Sequence, residues 1–165
     1  MGGDDKIEYV VDASSWIFIE DNPAQNLILA KLGELIEDCR VYCPIEAWNE
    51  VKKCAKVQAW LSQYETAVVK RIVDTQYLLK VGVVAHKFPM MSGARGTKEK
   101  ADAYVVAMAA YLNGISNPTV HVVVHEESTM RKPSRKIGNA CKEMGVQHLS
   151  LWQMLRKEFP NEQWL

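Results

Sequence analysis

Short apolar runs alternate with longer segments of helical periodicity along most of this chain. The segment 24–38, which follows Asn22-Pro23, has apolar residues at helical spacing, and the segment 101–112 is apolar almost all round. Further helices are predicted over 134–144 and from Ser150, and 44–84 is mostly helical in pattern. The predicted strands are 7–12, 40–44, 119–124 and 146–149. Strands that alternate with helices indicate a parallel sheet covered by helices on both faces.

Size and composition indicate one soluble domain. The 165 residues, 48% of them hydrophobic, suffice for a single core, so we expect one domain over 1–165, with residues 1–6 flexible. No apolar run approaches the roughly 18 residues of a membrane span. The polar, acidic N-terminus predicts no secretory signal, so a cytoplasmic location is expected, with the four cysteines reduced and mostly buried.

The charge balance does not by itself decide whether the protein binds nucleic acid. A formal net charge of zero argues against a protein that holds nucleic acid through a broad basic surface. It leaves open a nuclease with an acidic pocket, because bound metal ions then supply the positive charge that faces phosphate.

Four carboxylates fall near the carboxyl ends of predicted strands, where ligands bind in open parallel sheets. Asp12 ends the first strand, Glu127 lies just past Val124, Asp102 starts a buried helix, and Glu50 lies in the helix after the second strand. Carboxylates that meet at one point repel one another unless a cation compensates, and Mg²⁺ or Mn²⁺ prefers oxygen ligands. Such a cluster can activate water against a phosphodiester.

Most of these acids also have a purely structural interpretation. Asp12, before Ser14 and Ser15, fits a helix N-cap equally well. Glu50 alone is typical of a solvated helix face, and Glu126 and Glu127 fit the start of a loop. Asp102 is the exception, because burial within an apolar helix would be costly without a partner.

Other chemistries lack their motifs. No glycine-rich phosphate loop follows the first strand, and no G-x-S-x-G sequence is present. His121 and His125 lie four residues apart in a strand, about 13 Å, which is too far to share one metal; we expect His121 on the surface or on an edge strand. One group of basic residues has two interpretations, phosphate contacts or a solvated loop: Arg131, Lys132, Arg135 and Lys136.

The chain resembles the PIN-domain superfamily, and within it a PIN-like, toxin-type family of bacterial ribonucleases. The resemblance is carried in order by 9–17, 44–51, 101–109 and 122–127, and by the tail segment 136–146. It implies a Rossmann-like, three-layer α/β/α fold around a parallel sheet of strand order 3-2-1-4-5. It also implies Mg²⁺- or Mn²⁺-dependent cleavage of single-stranded RNA.

The resemblance assigns roles to individual residues. Asp12, Glu50 and Asp102 match three acids that bind metal and act in catalysis in the family. The fourth acid usually follows a threonine by two residues; here His125 replaces the threonine and Glu127 the acid, with Glu126 as the alternative. Ser14 takes the position that helps orient the first aspartate. Apart from the resemblance, the basic residues Arg131 and Lys132 are expected to bind substrate, together with Ser14.

The leading hypothesis is therefore a metal-dependent endoribonuclease, the toxin of a type II toxin–antitoxin pair. Its expected partners are RNA, an antitoxin protein and a second copy of the chain, with no membrane. A catalytically silent PIN-like module that binds protein or RNA is the alternative. A phosphatase with Asp12 as nucleophile is disfavoured, because Ser14 stands where such enzymes need a second aspartate.

Overall fold

A computed structural model describes residues 6–88, 101–126 and 136–164. The strands are β1 (Ile7–Val11), β2 (Val41–Pro44), β3 (Val69–Lys70), β4 (Val120–Val124) and β5 (His148–Leu149). The helices are α1 (Ala13–Glu20), α2 (Gln25–Glu37), α3 (Ile45–Val51), α4 (Ala55–Ser62), α5 (Glu65–Val68), α6 (Thr75–Lys87), α7 (Asp102–Ile115), α8 (Lys136–Glu143) and α9 (Leu151–Glu158).

The five strands form one sheet in the order β3-β2-β1-β4-β5, and every neighbouring pair is parallel. This confirms the expected strand order and the three-layer α/β architecture. The central strand β1 is almost wholly buried, and Val10 lies opposite Tyr42 on one side and Val123 on the other. The sheet has helices on both faces, so strands such as β1 and β4 are buried almost throughout, without alternation between buried and exposed residues.

The structure differs from the sequence prediction in one additional strand and in the end of one helix. The third strand, only Val69–Lys70, lies inside the segment that was predicted to be mostly helical. Helix α7 was predicted to end at Asn113-Gly114 but continues to Ile115. The Asn113 side chain is held by the neighbouring strand, where its Oδ1 accepts the His121 N–H at 2.6 Å. This tertiary contact outweighs the weak helix propensity of the pair.

His121 is buried, so the expectation of a surface or edge-strand position was wrong. It lies on the interior strand β4 with 1% of its surface exposed. Its Nε2 lies 2.8 Å from Glu8 Oε1 and its Nδ1 lies 3.1 Å from Asn113 Oδ1. Both ring nitrogens therefore have partners, which is what makes a buried imidazole tolerable.

The C-terminal helix is fixed at both ends. At its start, Ser150 and Gln153 form the predicted capping box. At its end, Glu158 accepts two hydrogen bonds from the Arg40 guanidinium, at 2.8 and 2.6 Å, and a third from the Tyr9 hydroxyl. Arg40 Nε also donates to the Ile7 carbonyl at 2.8 Å. Helix α9 is thereby tied to the start of β1 and to the residue before β2.

Two smaller predictions can be compared with the structure. All four cysteines are free thiols, and three of them are buried, with Cys39 exposed, as expected. Within the described residues no helix is long and apolar enough to cross a membrane.

Candidate functional site

Asp12 directly follows β1 and is the N-cap of α1. Its backbone is extended there, and its Oδ2 accepts the Ser14 N–H at 3.0 Å. The Asp12 N–H donates to the Val124 carbonyl at 2.9 Å, so the end of β4 fixes the residue from the other side. The capping interpretation of Asp12 is thus correct, but capping uses only one carboxylate oxygen.

The other oxygen of Asp12 has no hydrogen-bond partner. Asp12 is 2% exposed, and its Oδ1 is buried. Burial raises the pKa of this carboxyl above its ordinary value, although hydrogen bonds from Ser14 and the Ala13 backbone lower it. An unpaired buried carboxylate oxygen is costly in a folded protein. Binding a cation would remove that cost, so this oxygen fits a metal ligand.

Two glutamates lie on the helix that follows the next strand, β2. Glu46 and Glu50 are four residues apart on α3, which places both half-buried side chains on one helix face. The pKa of the Cys43 thiol, at the end of β2, responds to these carboxylates. Burial raises this pKa most, and the negative charges of Asp12, Glu50 and Glu46 raise it further. Asp12, Glu50 and Glu46 thus all lie near enough to the Cys43 thiol to affect its pKa.

Asp102 is the first residue of α7. This helix leads into β4, so it runs back across the sheet and begins at the edge where the strands end. Helix α7 contacts β1, β2 and α3, the elements that carry or precede the other acids. Asp102 is half-buried at a helix N-terminus, where the helix dipole favours a carboxylate.

The position of the fourth acid is only partly described. Glu127 lies outside the described residues, as do Arg131 and Lys132. Glu126 Oε2 accepts the Ser15 hydroxyl at 2.7 Å and the Leu151 N–H at 3.1 Å, so it joins α1 to the start of α9. These contacts give Glu126 a structural role in addition to any other it has.

Ser14 lies between the two acidic positions. Its backbone N–H bonds Asp12, and its Oγ accepts the Glu126 N–H at 3.1 Å. Since the Ser14 side chain also hydrogen-bonds Asp12, it connects the end of β1 with the end of β4. This arrangement suits a residue that orients the first aspartate.

The donor set fits a hard divalent cation. Among residues 6–88, 101–126 and 136–164, no three His, Cys, Asp or Glu side chains are gathered closely enough to hold one metal ion. The acids at this edge nevertheless offer carboxylate oxygens, which Mg²⁺ and Mn²⁺ prefer, and Asp12 Oδ1 is buried without a donor.

Sequence reasoning did not assign a function to Glu46. The i, i+4 spacing from Glu50 could have revealed it, because residues at that spacing share a helix face. It also did not foresee that Glu126 would accept two hydrogen bonds at a helix start.

His125, next to this edge, makes the fold sensitive to acid. Burial, with a smaller contribution from His148, lowers its pKa from 6.5 to about 4. Below pH 6.5 His125 is protonated in the unfolded chain, whereas in the folded chain it stays neutral down to about pH 4. The free energy of unfolding therefore falls as the pH drops through this window. Urea unfolding in EDTA should show a loss of about 2 kcal/mol from His125 between pH 7 and pH 5.

The matched control for this effect is His86, an exposed histidine on α6. His125→Gln should flatten the pH dependence, whereas His86→Gln should leave it as in the unmodified protein. Equal pH slopes for His125→Gln and the unmodified protein would show that His125 is not the group responsible.

A family model matches most of the chain. The family model described as "Domain of unknown function (DUF4411)" matches residues 9–161. The chain belongs to the DUF4411 family. The match runs from the third residue of β1 to beyond α9, so it includes all the acids of the candidate site. No curated protein matches the chain.

A chain of another protein, whose structure is solved, has the same fold as this DUF4411 protein. A chain of VapBC-1 from nontypeable Haemophilus influenzae matches with a TM-score of 0.53 and 15% sequence identity. The match covers 88% of this chain and 98% of that one. At this identity the likeness concerns the fold, and together with the strand order it confirms the PIN-like fold that the motifs indicated.

Proposed function

We propose that this protein is a divalent-metal-dependent endoribonuclease that cleaves single-stranded RNA. The observation that carries the proposal is Asp12: a buried carboxylate at the end of β1 with one oxygen held by Ser14 and the other without a donor. Glu50 affects the pKa of the same Cys43 thiol as Asp12, and Asp102 starts a helix at the same edge of the sheet. An unpaired buried carboxylate with further acids at its edge of the sheet suits phosphodiester hydrolysis better than a purely structural role.

Asp12, Glu50, Asp102 and Glu127 would hold Mg²⁺ or Mn²⁺ and form the catalytic set. When bound, such an ion neutralises charge on the phosphodiester and makes a bound water more acidic. Ser14 keeps Asp12 in one orientation, and the N-terminus of α7 stabilises the Asp102 carboxylate. Burial excludes bulk water from Asp12, so its interaction with a cation is strong.

We further propose that the protein is the toxin of a type II toxin–antitoxin pair acting in the cytoplasm. Support comes from the PIN-like motifs and from the fold shared with a chain of VapBC-1. An antitoxin protein and a second copy of the chain are the proposed protein partners, and Arg131 and Lys132 the proposed phosphate contacts.

The test is cleavage of a labelled single-stranded RNA by purified protein in Mn²⁺. We expect cleavage that EDTA abolishes and that Asp102→Asn lowers at least about 100-fold, because a charged ligand is lost. Asp38→Asn is the matched control, since Asp38 is an exposed aspartate at the C-cap of α2, just before β2 and therefore at the opposite edge of the sheet. Equal cleavage by all three proteins would contradict the proposal, because contamination would then explain it.

A catalytically silent binding module is the second candidate. It is favoured by the lack of a compact three-ligand group among the described residues. Calorimetric titration with Mn²⁺ separates the two, since a metal site that is lost in Asp102→Asn contradicts a degenerate pocket.

A further inference from the structure

Three aromatic side chains form a row on the surface between α1 and α9. The ring centroids of Phe18 on α1 and Trp152 on α9 are 6.2 Å apart, and those of Trp152 and Trp164 are 5.8 Å apart. Phe18 is 38% exposed, and both tryptophans are half-buried. Contiguous apolar surface of this kind marks binding sites more often than single exposed side chains do. None of the roles proposed above uses this aromatic row.

A surface cavity of about 340 Å³ lies at one end of the aromatic row. Its walls place an aromatic ring and a proline ring beside one base and one acid: Trp164, Pro160, Arg156 and Glu162. Because Trp164 lines the cavity, part of its indole ring is accessible to a ligand there. The volume lies within the range of small-molecule sites, about 300–1,000 Å³.

The two charges of the cavity differ in their partners. Lys31 Nζ lies 3.1 Å from Glu162 Oε1, so the negative charge of Glu162 is compensated in part. Arg156 is exposed, and it forms no ion pair among the residues that the structure describes. The cavity therefore offers an unpaired guanidinium beside aromatic surface, a combination that fits a ligand with a negative charge and a flat ring.

A series of hydrogen bonds connects this surface to the acidic edge. Ser14 Oγ accepts the Glu126 N–H at 3.1 Å, and Glu126 Oε2 accepts the N–H of Leu151, the first residue of α9, also at 3.1 Å. Trp152 is the next residue, and Arg156 lies on the same face of α9 one turn later. With a rise of about 1.5 Å per residue, Arg156 is about 8 Å along the helix from Leu151. The surface therefore begins at the edge of the sheet that carries the proposed catalytic acids.

We propose that this surface binds the single-stranded RNA beside the acidic edge, with one base stacked on Trp164 and a phosphate bound by Arg156. The inference rests on the proposed ribonuclease function, because it names where the same substrate is held. Proteins that bind single strands without sequence preference combine aromatic platforms with cationic contacts to the backbone. Trp152 and Phe18 extend the aromatic surface from the cavity to α1.

The charge and the rings favour a single strand over other occupants. A protein segment that covers an apolar face gains little from an unpaired guanidinium, whereas a polyanion binds to it. A duplex keeps its bases stacked inside the helix, so it has no free base for Trp164. A single strand supplies both the phosphate and the free base.

The test measures binding of a labelled oligouridine of about ten nucleotides by fluorescence anisotropy in EDTA, where no metal-dependent cleavage occurs. We expect saturable binding that weakens as the salt concentration rises, because phosphate contacts release counterions. An RNA duplex of the same length should bind at least about tenfold more weakly, since it cannot stack a base on the protein.

Three variants locate the binding. Trp164→Ala should weaken it about tenfold, whereas Trp164→Phe, which keeps an aromatic ring, should retain most of the affinity. Arg156→Gln should lower the slope of log affinity against log salt concentration by about 0.7, the contribution of one phosphate contact on a single strand.

Lys142→Gln is the matched control for Arg156→Gln and should leave the salt slope unchanged. Lys142 is an exposed cation in the last turn of α8, as Arg156 is in the last turn of α9, but it does not line the cavity. If Trp164→Ala does not fold, the salt slope of Arg156→Gln still decides, because the Arg156 side chain is exposed.

Unchanged affinity in Trp164→Ala with an unchanged salt slope in Arg156→Gln, no binding of oligouridine, or equal binding of the duplex would overturn the inference. A protein partner would then be the better occupant of this surface. Failure of the inference is distinguishable from failure of the ribonuclease proposal. A protein that cleaves RNA equally well with both substitutions refutes the RNA surface alone, whereas one that binds oligouridine through Arg156 and Trp164 but never cleaves refutes only the ribonuclease.

Discussion

Replacement of Asp12 with asparagine should abolish RNA cleavage without unfolding the protein. Asparagine keeps an acceptor for the Ser14 N–H and is a good N-cap, so α1 retains its start. The change removes a buried charge but adds a buried amide, so the free energy of unfolding in EDTA should change by less than about 1 kcal/mol. Cleavage should fall at least about 100-fold, because the buried ligand oxygen is gone.

Two measurements separate this result from damage to the fold. Urea unfolding in EDTA gives the stability, and the melting temperature with and without Mn²⁺ reports metal binding by mass action. Asp21→Asn, at the exposed C-cap of the same helix, is the control and should behave as the unmodified protein. An Asp12→Asn protein that keeps its cleavage rate or its Mn²⁺-dependent stabilisation would contradict the assigned role.

The largest loss of stability should come from Glu158→Ala. The change leaves the Arg40 guanidinium and the Tyr9 hydroxyl without their shared acceptor. Removing one partner of a buried ion pair costs about 3–5 kcal/mol, and the side chains here are 18% and 13% exposed. We expect the lower end of that range, about 3 kcal/mol, in urea unfolding.

Lys157 provides the matched control. It precedes Glu158 on α9 but is exposed, so Lys157→Ala should change the free energy of unfolding by less than about 0.5 kcal/mol. Glu158→Gln should lie between the two, because it keeps acceptor capacity without the charge. If Glu158→Ala is as stable as Lys157→Ala, the contact contributes nothing to holding α9.

Much of the fold could be predicted from the sequence because local pattern and burial agree. The apolar run before Asp12 lies in the centre of the sheet, where a parallel strand has no solvent face. The edge strand Val69–Lys70 could not be predicted, since two half-buried residues leave no periodicity. The end of α7 was misplaced because Asn113 bonds a strand that only the tertiary structure brings close.

Part of the candidate site could also be predicted, because it lies at the ends of strands. The ends of strands are local features, so Asp12 and the start of α7 could be placed from the chain alone. The two roles of Asp12 could not be separated, because the sequence does not show that Oδ2 caps α1 while Oδ1 is left without a donor. The burial of His121 and the contacts of Glu126 depend on partners from distant parts of the chain.

The central claim is that a divalent cation binds at Asp12. Crystals grown in Mn²⁺ allow the most direct measurement, an anomalous difference map collected on the unmodified protein and on Asp12→Asn. We predict an Mn²⁺ peak within coordination distance of Asp12 Oδ1 in the unmodified protein and no peak in the variant. A peak bound elsewhere, or no peak from crystals of a protein that cleaves RNA, would contradict the claim.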